Sequence, residues 1–287
     1  MTRLAPVAAA DGTRLASVLE GEGRLVVLCN GLANNAYQWT TVRRRLARRA
    51  RVLTWDYRGH GESEPARDLE SVSIEATVDD LVRVLDAAVG PDERFTLMGY
   101  SLGCQVAYEA WRRLGPRIDG LVHLLGSYEH ALDGLYGGAL GGLPTCLLKR
   151  IPGRLFTHLY RSSVRMKPIG YAGGRLVRAV EPGVAYRAIA GFQEQLALVH
   201  GPSFKALALA GQRHSAADVL PTITAPLLLV QGGLDIMAPP SIAESIVGRV
   251  PQARYVLLER AGHTGLLGHA DRIADLVHGF LDEHRLI

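Results

Sequence analysis

Cysteines and long apolar runs are scarce in this 287-residue sequence, and both scarcities exclude classes of protein. The three cysteines are an odd number without the spacing of a disulfide framework, so we expect a reducing compartment and thiols that act as small buried hydrophobes. The longest apolar run, around residues 139–148, is too short to span a bilayer and is interrupted by glycine and proline. The N-terminal segment lacks the apolar stretch of a signal peptide. We therefore expect a cytoplasmic protein.

Metal-binding and nucleotide-binding motifs are also missing. The ten histidines are scattered, and the glycine-rich residues 137–142 have neither the lysine nor the preceding strand of a phosphate-binding loop. Six arginines crowd residues 43–51, but Val42 and Leu46 supply an apolar face to that helix, which indicates a solvated outer surface and not a nucleic-acid site. We expect no cofactor, no metal and no nucleic acid.

Acidic residues are absent from one long segment. No Asp or Glu occurs between Gly134 and Val180. Because the whole chain has a net charge of only +4, the remainder must be net negative. The segment carries eight basic residues: Lys149, Arg150, Arg154, Arg161, Arg165, Lys167, Arg175 and Arg178.

Short apolar runs alternate with helical segments over most of the chain. Helical periodicity covers residues 74–89 and 102–114, and continuous apolar runs separated by such helices are typical of a parallel sheet covered on both faces. Residues 4–9 and 15–19, with Asp11-Gly12 between them, predict an antiparallel hairpin at the sheet edge. The apolar runs that predict strands are residues 25–29, 52–55, 95–98, 121–125, 227–231 and 255–258.

The alternation is interrupted in the middle of the chain. Residues 126–221 are rich in glycine and basic residues, show helical character at 152–164 and 184–198, and contain no convincing buried strand. An insertion that leaves a sheet and returns to it is typical of a lid. We therefore predict a core of residues 1–126 and 221–287, with a helical cap at residues 127–220.

The stretch GYSLG, residues 99–103, is a G-x-S-x-G motif between a predicted strand and a predicted helix. A sharp turn there needs glycines for clearance and leaves the Ser101 hydroxyl exposed above the sheet. The serine also lies at a helix N-terminus, where the N–H of Leu102 can stabilise a negative oxygen. The motif therefore predicts a nucleophilic serine.

A serine nucleophile needs a base and a group that orients the base, in the chain order Ser, acid, His. Asp235 and His263 each follow the carboxyl end of a predicted strand, where sites form in open parallel sheets. Glu259 is a rival for the acid, but a solvated charge at a strand end is the favoured interpretation. His269 lies on a helix with apolar periodicity and is interpreted as a surface or packing histidine.

The sequence resembles the α/β-hydrolase fold family over essentially its whole length, through GYSLG at 99–103, GGLDIMAPP at 232–240, AGH at 261–263 and DYRGHGES at 56–63. The resemblance implies a mostly parallel, doubly wound sheet of eight strands with a mainly helical cap between the sixth and seventh strands. It implies that Ser101 is the nucleophile, His263 the general base and then acid, and Asp235 the group that fixes the tautomer of His263.

The resemblance also implies a second oxyanion donor in the loop after residues 25–29. That donor is the backbone N–H of Leu32, beside that of Leu102. The family usually opens this loop with His-Gly, whereas this sequence has Asn30-Gly31. Asn30 could brace the loop, which we favour, or face the substrate; we place it with Tyr100 and Met237 as candidate pocket residues.

A serine at position 101 predicts cleavage of an ester, thioester, lactone or amide through an acyl-enzyme. An aspartate at the same position would instead imply a dehalogenase or an epoxide hydrolase. The first hypothesis is an esterase or lipase acting on a mostly apolar small ester. The alternatives are an acyltransferase or cofactor-free perhydrolase with the same triad, and a catalytically silent ligand receptor.

The basic cap has two interpretations. In the one that we favour, its apolar residues roof the pocket and its basic residues face water. In the other, the cap attracts an anionic substrate, or weakly contacts a membrane surface through Leu155, Phe156, Leu159 and Tyr160. Nothing in the sequence indicates an oligomeric state.

Overall fold

The computed structural model describes residues 2–287, with the side chains of Arg154, Leu159, Tyr160, Ser163 and Val164 outside the description. The predicted roles of Arg154, Leu159 and Tyr160 on the cap therefore lie outside the described residues. The strands in the described part are β1 (Thr2–Arg3), β2 (Val7–Ala8), β3 (Arg14–Leu15), β4 (Ser17–Glu20), β5 (Leu25–Cys29), β6 (Arg51–Trp55), β7 (Phe95–Tyr100), β8 (Ile118–Leu124), β9 (Leu227–Gly232) and β10 (Ala253–Leu258).

The main sheet has eight strands in the order β1-β4-β6-β5-β7-β8-β9-β10. Strands from β6 to β10 pair in parallel, whereas β1 with β4 and β4 with β6 are antiparallel. The parallel pairing brings the carboxyl ends of β5, β7, β9 and β10 to one edge. The predicted eight-stranded, mostly parallel sheet is confirmed.

Helices cover both faces of this sheet. The helices are α1 (Thr40–Leu46), α2 (Ile74–Ala88), α3 (Leu102–Leu114), α4 (Leu143–Arg150), α5 (Gly153–Arg165), α6 (Lys167–Leu176), α7 (Tyr186–Leu196), α8 (Gly201–Arg213), α9 (Pro240–Val247), α10 (Gly265–Gly268) and α11 (Ala270–Glu283). Because successive strand residues point to opposite faces, Val27 of β5 joins a core cluster with α2 and α3, while Val26 and Leu28 join a second cluster with α1 and α11.

The N-terminal edge differs from the single hairpin that the sequence predicts. β2 and β3 pair with each other in a separate two-stranded sheet, while β1 pairs with β4 at the edge of the main sheet. Pro6, which has no N–H to donate to a ladder, lies between β1 and β2. The turn at Asp11-Gly12 is present, with Gly12 at a φ of 80°. The expected hairpin is thus divided into two pairings.

The inserted segment between β8 and β9 is helical, as expected. It contains α4 to α8, and among its described residues the β-pairing is limited to an isolated bridge between Glu129 and Ser215. Helix α8 packs on the core, because Leu207 belongs to the cluster of α2 and α3, and Gly211 lies against Leu102. The boundaries of the cap at residues 127 and 220 stay a prediction.

The arginine-rich helix α1 faces acidic residues of neighbouring elements. Arg45 forms an ion pair with Asp275 at 2.5 Å, and Arg43 pairs with Glu20. Just beyond the helix, Arg49 reaches Asp282 at 2.7 Å. These contacts fit the predicted outer helix face.

The outer surface of the cap is basic and partly apolar. Phe156 stacks on Phe204 with ring centroids 5.5 Å apart, whereas Leu155, Ile169 and Leu176 are exposed. Throughout the described chain, the helices are too short or too polar to cross a membrane. Contact of the cap with a membrane surface stays a prediction. The exposed basic side chains here include Lys149, Arg150, Arg161, Arg165, Arg175 and Arg178.

Candidate active site

Ser101 is the single residue between a strand and a helix. β7 ends at Tyr100 and α3 begins at Leu102. Ser101 has φ 54° and ψ −122°, a positive-φ conformation that residues with a Cβ rarely adopt. Backbone strain of this kind costs about 1–3 kcal/mol and persists mainly at functional sites. The G-x-S-x-G motif therefore forms the strained turn that its context predicts.

Glycines allow three backbone segments to meet around this turn. A Cβ on Gly103 would lie 2.2 Å from the carbonyl oxygen of Cys29, and one on Gly99 would lie 2.5 Å from that of Gly103. Gly126, after β8, is equally constrained, because its Cβ would lie 2.6 Å from the Ser101 carbonyl oxygen. The sequence motif explains the first two glycines, and the fold adds the third.

The structure brings Ser101, His263 and Asp235 into one hydrogen-bonded chain. Ser101 Oγ lies 2.8 Å from His263 Nε2, and His263 Nδ1 lies 2.9 Å and 3.1 Å from the two Asp235 carboxylate oxygens. The three residues follow β7, β10 and β9, whose carboxyl ends share one edge of the sheet. In the neutral imidazole that fits this geometry, Nδ1–H donates to the carboxylate and Nε2 accepts the serine proton.

The Asp235 carboxylate is held in place by its own loop. Its Oδ1 accepts hydrogen bonds from the backbone N–H groups of Met237 at 2.8 Å and Ala238 at 2.9 Å. The side chain is fully buried. These bonds fix the direction from which the carboxylate meets His263.

The surroundings of His263 favour its protonated form. Burial lowers the pKa of His263, but the charge and hydrogen bond of Asp235, with a further contribution from the Glu181 charge, raise it, and the net pKa lies above the ordinary value of 6.5. Tyr100 braces the same residue, because its hydroxyl donates to the His263 carbonyl oxygen at 2.6 Å and its ring stacks on the imidazole. A base with a raised pKa accepts the serine proton more readily.

Two backbone N–H groups are available for an oxyanion. Leu102 is the first residue of α3, and Leu32 lies in the loop after β5 that passes beside the serine, since a Cβ on Gly31 would be 3.0 Å from the Ser101 Cβ. Within residues 2–287, neither N–H donates to a protein acceptor, and both residues line the same cavity. The predicted pair of donors thus lies on the cavity side of the serine; their role stays a prediction.

Asn30 braces the loop, as favoured, and its assignment to the pocket is corrected. The residue is 1% exposed and does not line the cavity. Its Nδ2 donates to the Trp55 carbonyl oxygen at 2.7 Å, and its Oδ1 accepts from Trp39 Nε1 at 3.0 Å. Because the side chain is buried and both ends of its amide bond to groups inside the protein, it does not reach the cavity.

A cavity of about 450 Å³ opens above Ser101 and His263, within the range of small-molecule sites. Tyr100 and Met237, the other two predicted pocket residues, line it. The cap contributes much of the wall, mainly with apolar side chains. The cap residues on this wall include Leu132, Leu135, Val180, Ile189, Phe192 and Leu196.

A buried carboxylate of the cap, which the sequence analysis missed, holds the loop that carries His263. Glu181 Oε2 accepts from the Gly262 N–H at 2.7 Å and from Thr264 Oγ1 at 3.0 Å, so it contacts both neighbours of His263. Burial raises the pKa of Glu181, although the bonds from Thr264 and Gly262 lower it. Gly268 leaves room for the carboxylate, since a Cβ there would lie 2.3 Å from Oε1. No motif marks this residue, because its partners are about 80 positions away in sequence.

The rivals for the triad lie outside it. Glu259 is exposed at the end of β10, as expected for a solvated strand end. His269 occupies the N-cap position of α11 without a capping hydrogen bond from its side chain, and its Nε2 lies 4.0 Å from Glu181 Oε1. It is a partly exposed residue near the site and not part of the triad.

The turn after β6 is braced by its own polar residues. Asp56 Oδ2 accepts from the Glu62 N–H at 2.9 Å, and His60 Nδ1 lies 3.1 Å from the Arg58 carbonyl oxygen. Burial raises the pKa of Asp56 to about 6 and lowers that of His60 to about 4. These hydrogen bonds hold the turn in place from within.

Within the described residues, no group of three His, Cys, Asp or Glu side chains is placed to hold a metal ion. Cys29 and Cys104 are buried and reduced, and burial raises the pKa of the Cys29 thiol to about 12, while Cys146 is partly exposed. The two buried thiols fit the predicted role of small hydrophobes.

Relatives of the chain include an enzyme that acts on an ester. The pimeloyl-[acyl-carrier protein] methyl ester esterase of Neisseria meningitidis serogroup A is 28% identical over 272 residues, covering 90% of this chain and 78% of that protein. A polyketide synthase of Burkholderia thailandensis is 30% identical over 281 residues, covering 95% of this chain. The chain spans only 12% of that synthase's length. The similarity to this esterase supports a hydrolase activity for the chain.

Solved structures and a family model agree on the architecture. An esterase from Exiguobacterium antarcticum superposes with a TM-score of 0.76 at 19% identity, covering 96% of this chain and 98% of that one. At that identity the likeness shows the fold alone. The family model of the α/β hydrolase fold matches residues 24–270. The chain belongs to the α/β-hydrolase fold family.

Proposed function

We propose that the protein is a serine hydrolase that cleaves a carboxylic ester, or a related thioester or lactone, through an acyl-enzyme on Ser101. The observation that carries this proposal is the hydrogen-bonded chain from Ser101 through His263 to Asp235, opening into a mostly apolar cavity. The pimeloyl ester named for the Neisseria relative supports an acyl ester as the substrate class.

In the proposed acylation each group has its own step. His263 Nε2 takes the proton of Ser101 Oγ as the oxygen attacks the ester carbon, and the carbonyl oxygen becomes negative. The N–H groups of Leu32 and Leu102 receive that charge. The tetrahedral intermediate then collapses, the bond to the leaving oxygen breaks, and the proton on His263 goes to the departing alcohol. Asp235 holds the imidazolium by its Nδ1–H throughout.

Deacylation uses the same groups with water as the nucleophile. His263 Nε2 removes a proton from a water molecule, which attacks the acyl carbon on Ser101 Oγ. Collapse of the second intermediate releases the carboxylic acid and returns the proton to the serine. An acyltransferase or a cofactor-free perhydrolase would replace this water with an alcohol or with hydrogen peroxide. The complete triad argues against a silent receptor, which needs none of the three groups.

A series of p-nitrophenyl esters tests the proposal. We expect the wild-type protein to hydrolyse the acetate, butyrate, octanoate and laurate, with the highest kcat/KM for a chain that fills the apolar cavity. Absence of turnover across the whole series would contradict a hydrolase. Adding an alcohol or hydrogen peroxide as a competing acceptor separates these alternatives from hydrolysis, because a transferase diverts most of the acyl group to the alcohol and a perhydrolase diverts it to the peroxide.

Glu181 is expected to tune His263. Because the Glu181 charge raises the pKa of His263 and the base must be neutral to act, Glu181→Gln should move the acidic limb of the kcat/KM profile to lower pH. Glu181→Ala, which also removes both hydrogen bonds to the His263 loop, should lower kcat/KM by about 10- to 100-fold. The measurement is the pH dependence of octanoate hydrolysis for both variants.

The matched control for this experiment is Glu194→Gln. Glu194 is an exposed carboxylate of the same cap, and it pairs with Lys167. Its replacement should leave the acidic limb in place. If the limb of Glu181→Gln coincides with that of the wild type, Glu181 does not act through the protonation of His263.

A further inference from the structure

The loop between β5 and α1, residues 30–39, carries the proposed oxyanion donor Leu32 and is held by two different parts of the molecule. We call it the oxyanion loop. At its start, Asn30 is buried in the core, and its carbonyl oxygen accepts a hydrogen bond from the Tyr57 hydroxyl at 2.7 Å. Farther along, the side chains of Asn35 and Tyr37 bond to the cap. Leu32 lies between these two attachments, so both determine the position of its N–H.

The cap attachment is made to helix α7. Asn35 Nδ2 donates to Gln195 Oε1 at 2.9 Å. The Tyr37 hydroxyl donates to the Ala188 carbonyl oxygen at 3.3 Å, and burial raises the pKa of this hydroxyl, so it remains a donor. Asn35 Oδ1 also accepts the backbone N–H of Tyr37 at 3.0 Å. The two side chains therefore attach to α7 as one unit.

A glycine of α7 makes room for the Tyr37 side chain. A Cβ on Gly191 would lie 2.7 Å from Tyr37 Cζ and still closer to the hydroxyl oxygen. Glycine inside a helix is less stable than alanine, so a glycine at this contact is explained by the close approach of the tyrosine. The ring fits a notch in α7, and its position along the helix is fixed by shape as well as by hydrogen bonds.

The backbone between the two attachments is strained. Ala33, directly after Leu32, has a φ of 62°, which residues with a Cβ rarely adopt. The Asn34 N–H donates to the Gly31 carbonyl oxygen at 3.2 Å, which closes a turn around Leu32 and Ala33. A strained conformation persists where the surrounding structure holds it. Loss of the attachment to α7 would therefore let this turn relax and would displace the Leu32 N–H.

We propose that Tyr37 is a positioning residue for catalysis, because its docking on α7 holds the Leu32 N–H where the oxyanion forms. The same helix lines the cavity with Ile189, Phe192 and Leu196, so one helix of the cap contacts both the cavity and the oxyanion loop. The cap then contributes to the chemistry as well as covering the pocket. This inference rests on the proposed function, since the Leu32 N–H has its role in that reaction.

A double-mutant cycle of Gly191→Ala and Tyr37→Leu tests the proposal with p-nitrophenyl octanoate as the substrate. Gly191→Ala displaces the tyrosine without removing a polar group, and Tyr37→Leu removes the side chain that enters the notch. Each single variant should lower kcat by about 10-fold, less than the cost of about 10²- to 10³-fold for deleting an oxyanion donor, because the N–H is displaced and not lost. KM should stay within about 2-fold, since the ester carbonyl is neutral in the ground state.

The double variant distinguishes a direct contact from two separate effects. With Tyr37 replaced, the new Cβ at position 191 has no tyrosine to displace, so the double variant should lose about 10-fold in kcat, whereas independent effects would multiply to about 100-fold. Each kcat is expressed per active site, counted by complete labelling with a fluorophosphonate probe, so unfolded protein does not contribute.

The matched control is Gly173→Ala, the same substitution on helix α6 of the cap. A Cβ on Gly173 would meet no described atom within 4 Å, and the residue does not line the cavity. Both kcat and KM should stay within about 2-fold of the wild type. Hydrogen exchange gives a second readout that needs no turnover: backbone amides of residues 30–39 should exchange faster in Gly191→Ala and Tyr37→Leu, and at the wild-type rate in Gly173→Ala.

The outcomes separate this inference from the function on which it rests. If the wild type hydrolyses the ester and Gly191→Ala keeps its kcat, or raises KM alone, the inference is overturned and the hydrolase stands. Losses that multiply in the double variant, or equal hydrogen exchange of residues 30–39 in all the proteins, also overturn it. If the wild type hydrolyses no ester, the hydrolase proposal fails, and the role of Tyr37 in catalysis fails with it.

Discussion

Replacing Ser101 by alanine is expected to lower kcat for ester hydrolysis by about 10⁵- to 10⁶-fold, the scale seen when the nucleophile of a catalytic triad is removed. Alanine keeps the Cβ, so the strained turn and the oxyanion donors remain, but no oxygen is left to attack the ester. The residual rate should come from the N–H groups of Leu32 and Leu102 and from binding alone. The measurement is the steady-state rate with p-nitrophenyl octanoate.

The control for this variant is Ser245→Ala. Ser245 lies on α9, near the Tyr128 hydroxyl at 3.2 Å, and does not line the cavity. Its replacement should leave kcat within about 2-fold of the wild type, because a substitution away from the site has a small effect. A loss of less than about 10-fold in Ser101→Ala would mean that another group carries the reaction.

Replacing Asp235 by asparagine is expected to lower kcat by about 10⁴-fold. Asparagine retains the Oδ1 oxygen that accepts from Met237 and Ala238, so the loop can stay in place. Its amide N–H₂ faces His263, however, and favours the imidazole tautomer with the proton on Nε2. That tautomer cannot accept the serine proton.

The same replacement should change the pH dependence in a defined direction. His263 acts as a base only when neutral, so wild-type activity rises with pH as His263 loses its proton, at a pKa above 6.5. Burial lowers that pKa, and the Asp235 charge and hydrogen bond raise it. Removing the Asp235 charge should therefore move the acidic limb of the activity profile to lower pH, and the maximum activity of the variant should be far below that of the wild type.

Glu259→Gln is the control for Asp235→Asn, because it neutralises the rival carboxylate at the end of the neighbouring strand. Glu259 is exposed, so kcat and the pH profile should both remain those of the wild type. The assignment of Asp235 would be wrong if Glu259→Gln lowered kcat and shifted the pH profile while Asp235→Asn kept the kcat and pH profile of the wild type.

The three triad residues could be predicted from the sequence, because local geometry and chain order determine their positions. The turn at Ser101 has a short-range signature, because Gly99 and Gly103 are required for clearance within five residues. Asp235 and His263 follow strands with continuous apolar runs, and parallel strands bring their carboxyl ends to one edge. The distances among the three side chains then follow from the sheet.

The groups around the triad could not be predicted, because they depend on contacts between distant segments. Glu181 belongs to a cap whose sequence has no periodic strand pattern, and nothing near residue 181 indicates that it reaches Gly262. The sequence leaves Asn30 a candidate pocket residue for the same reason, because its partners Trp39 and Trp55 are known only from the fold.

The most direct test of the central claim is to identify the residue that becomes covalently modified. The wild-type protein is incubated with a fluorophosphonate probe, which traps activated serines, digested, and analysed by peptide mass spectrometry. We predict a single adduct on Ser101, which is lost in His263→Ala because the serine remains but its base is gone. No adduct, or an adduct on another residue, would contradict it.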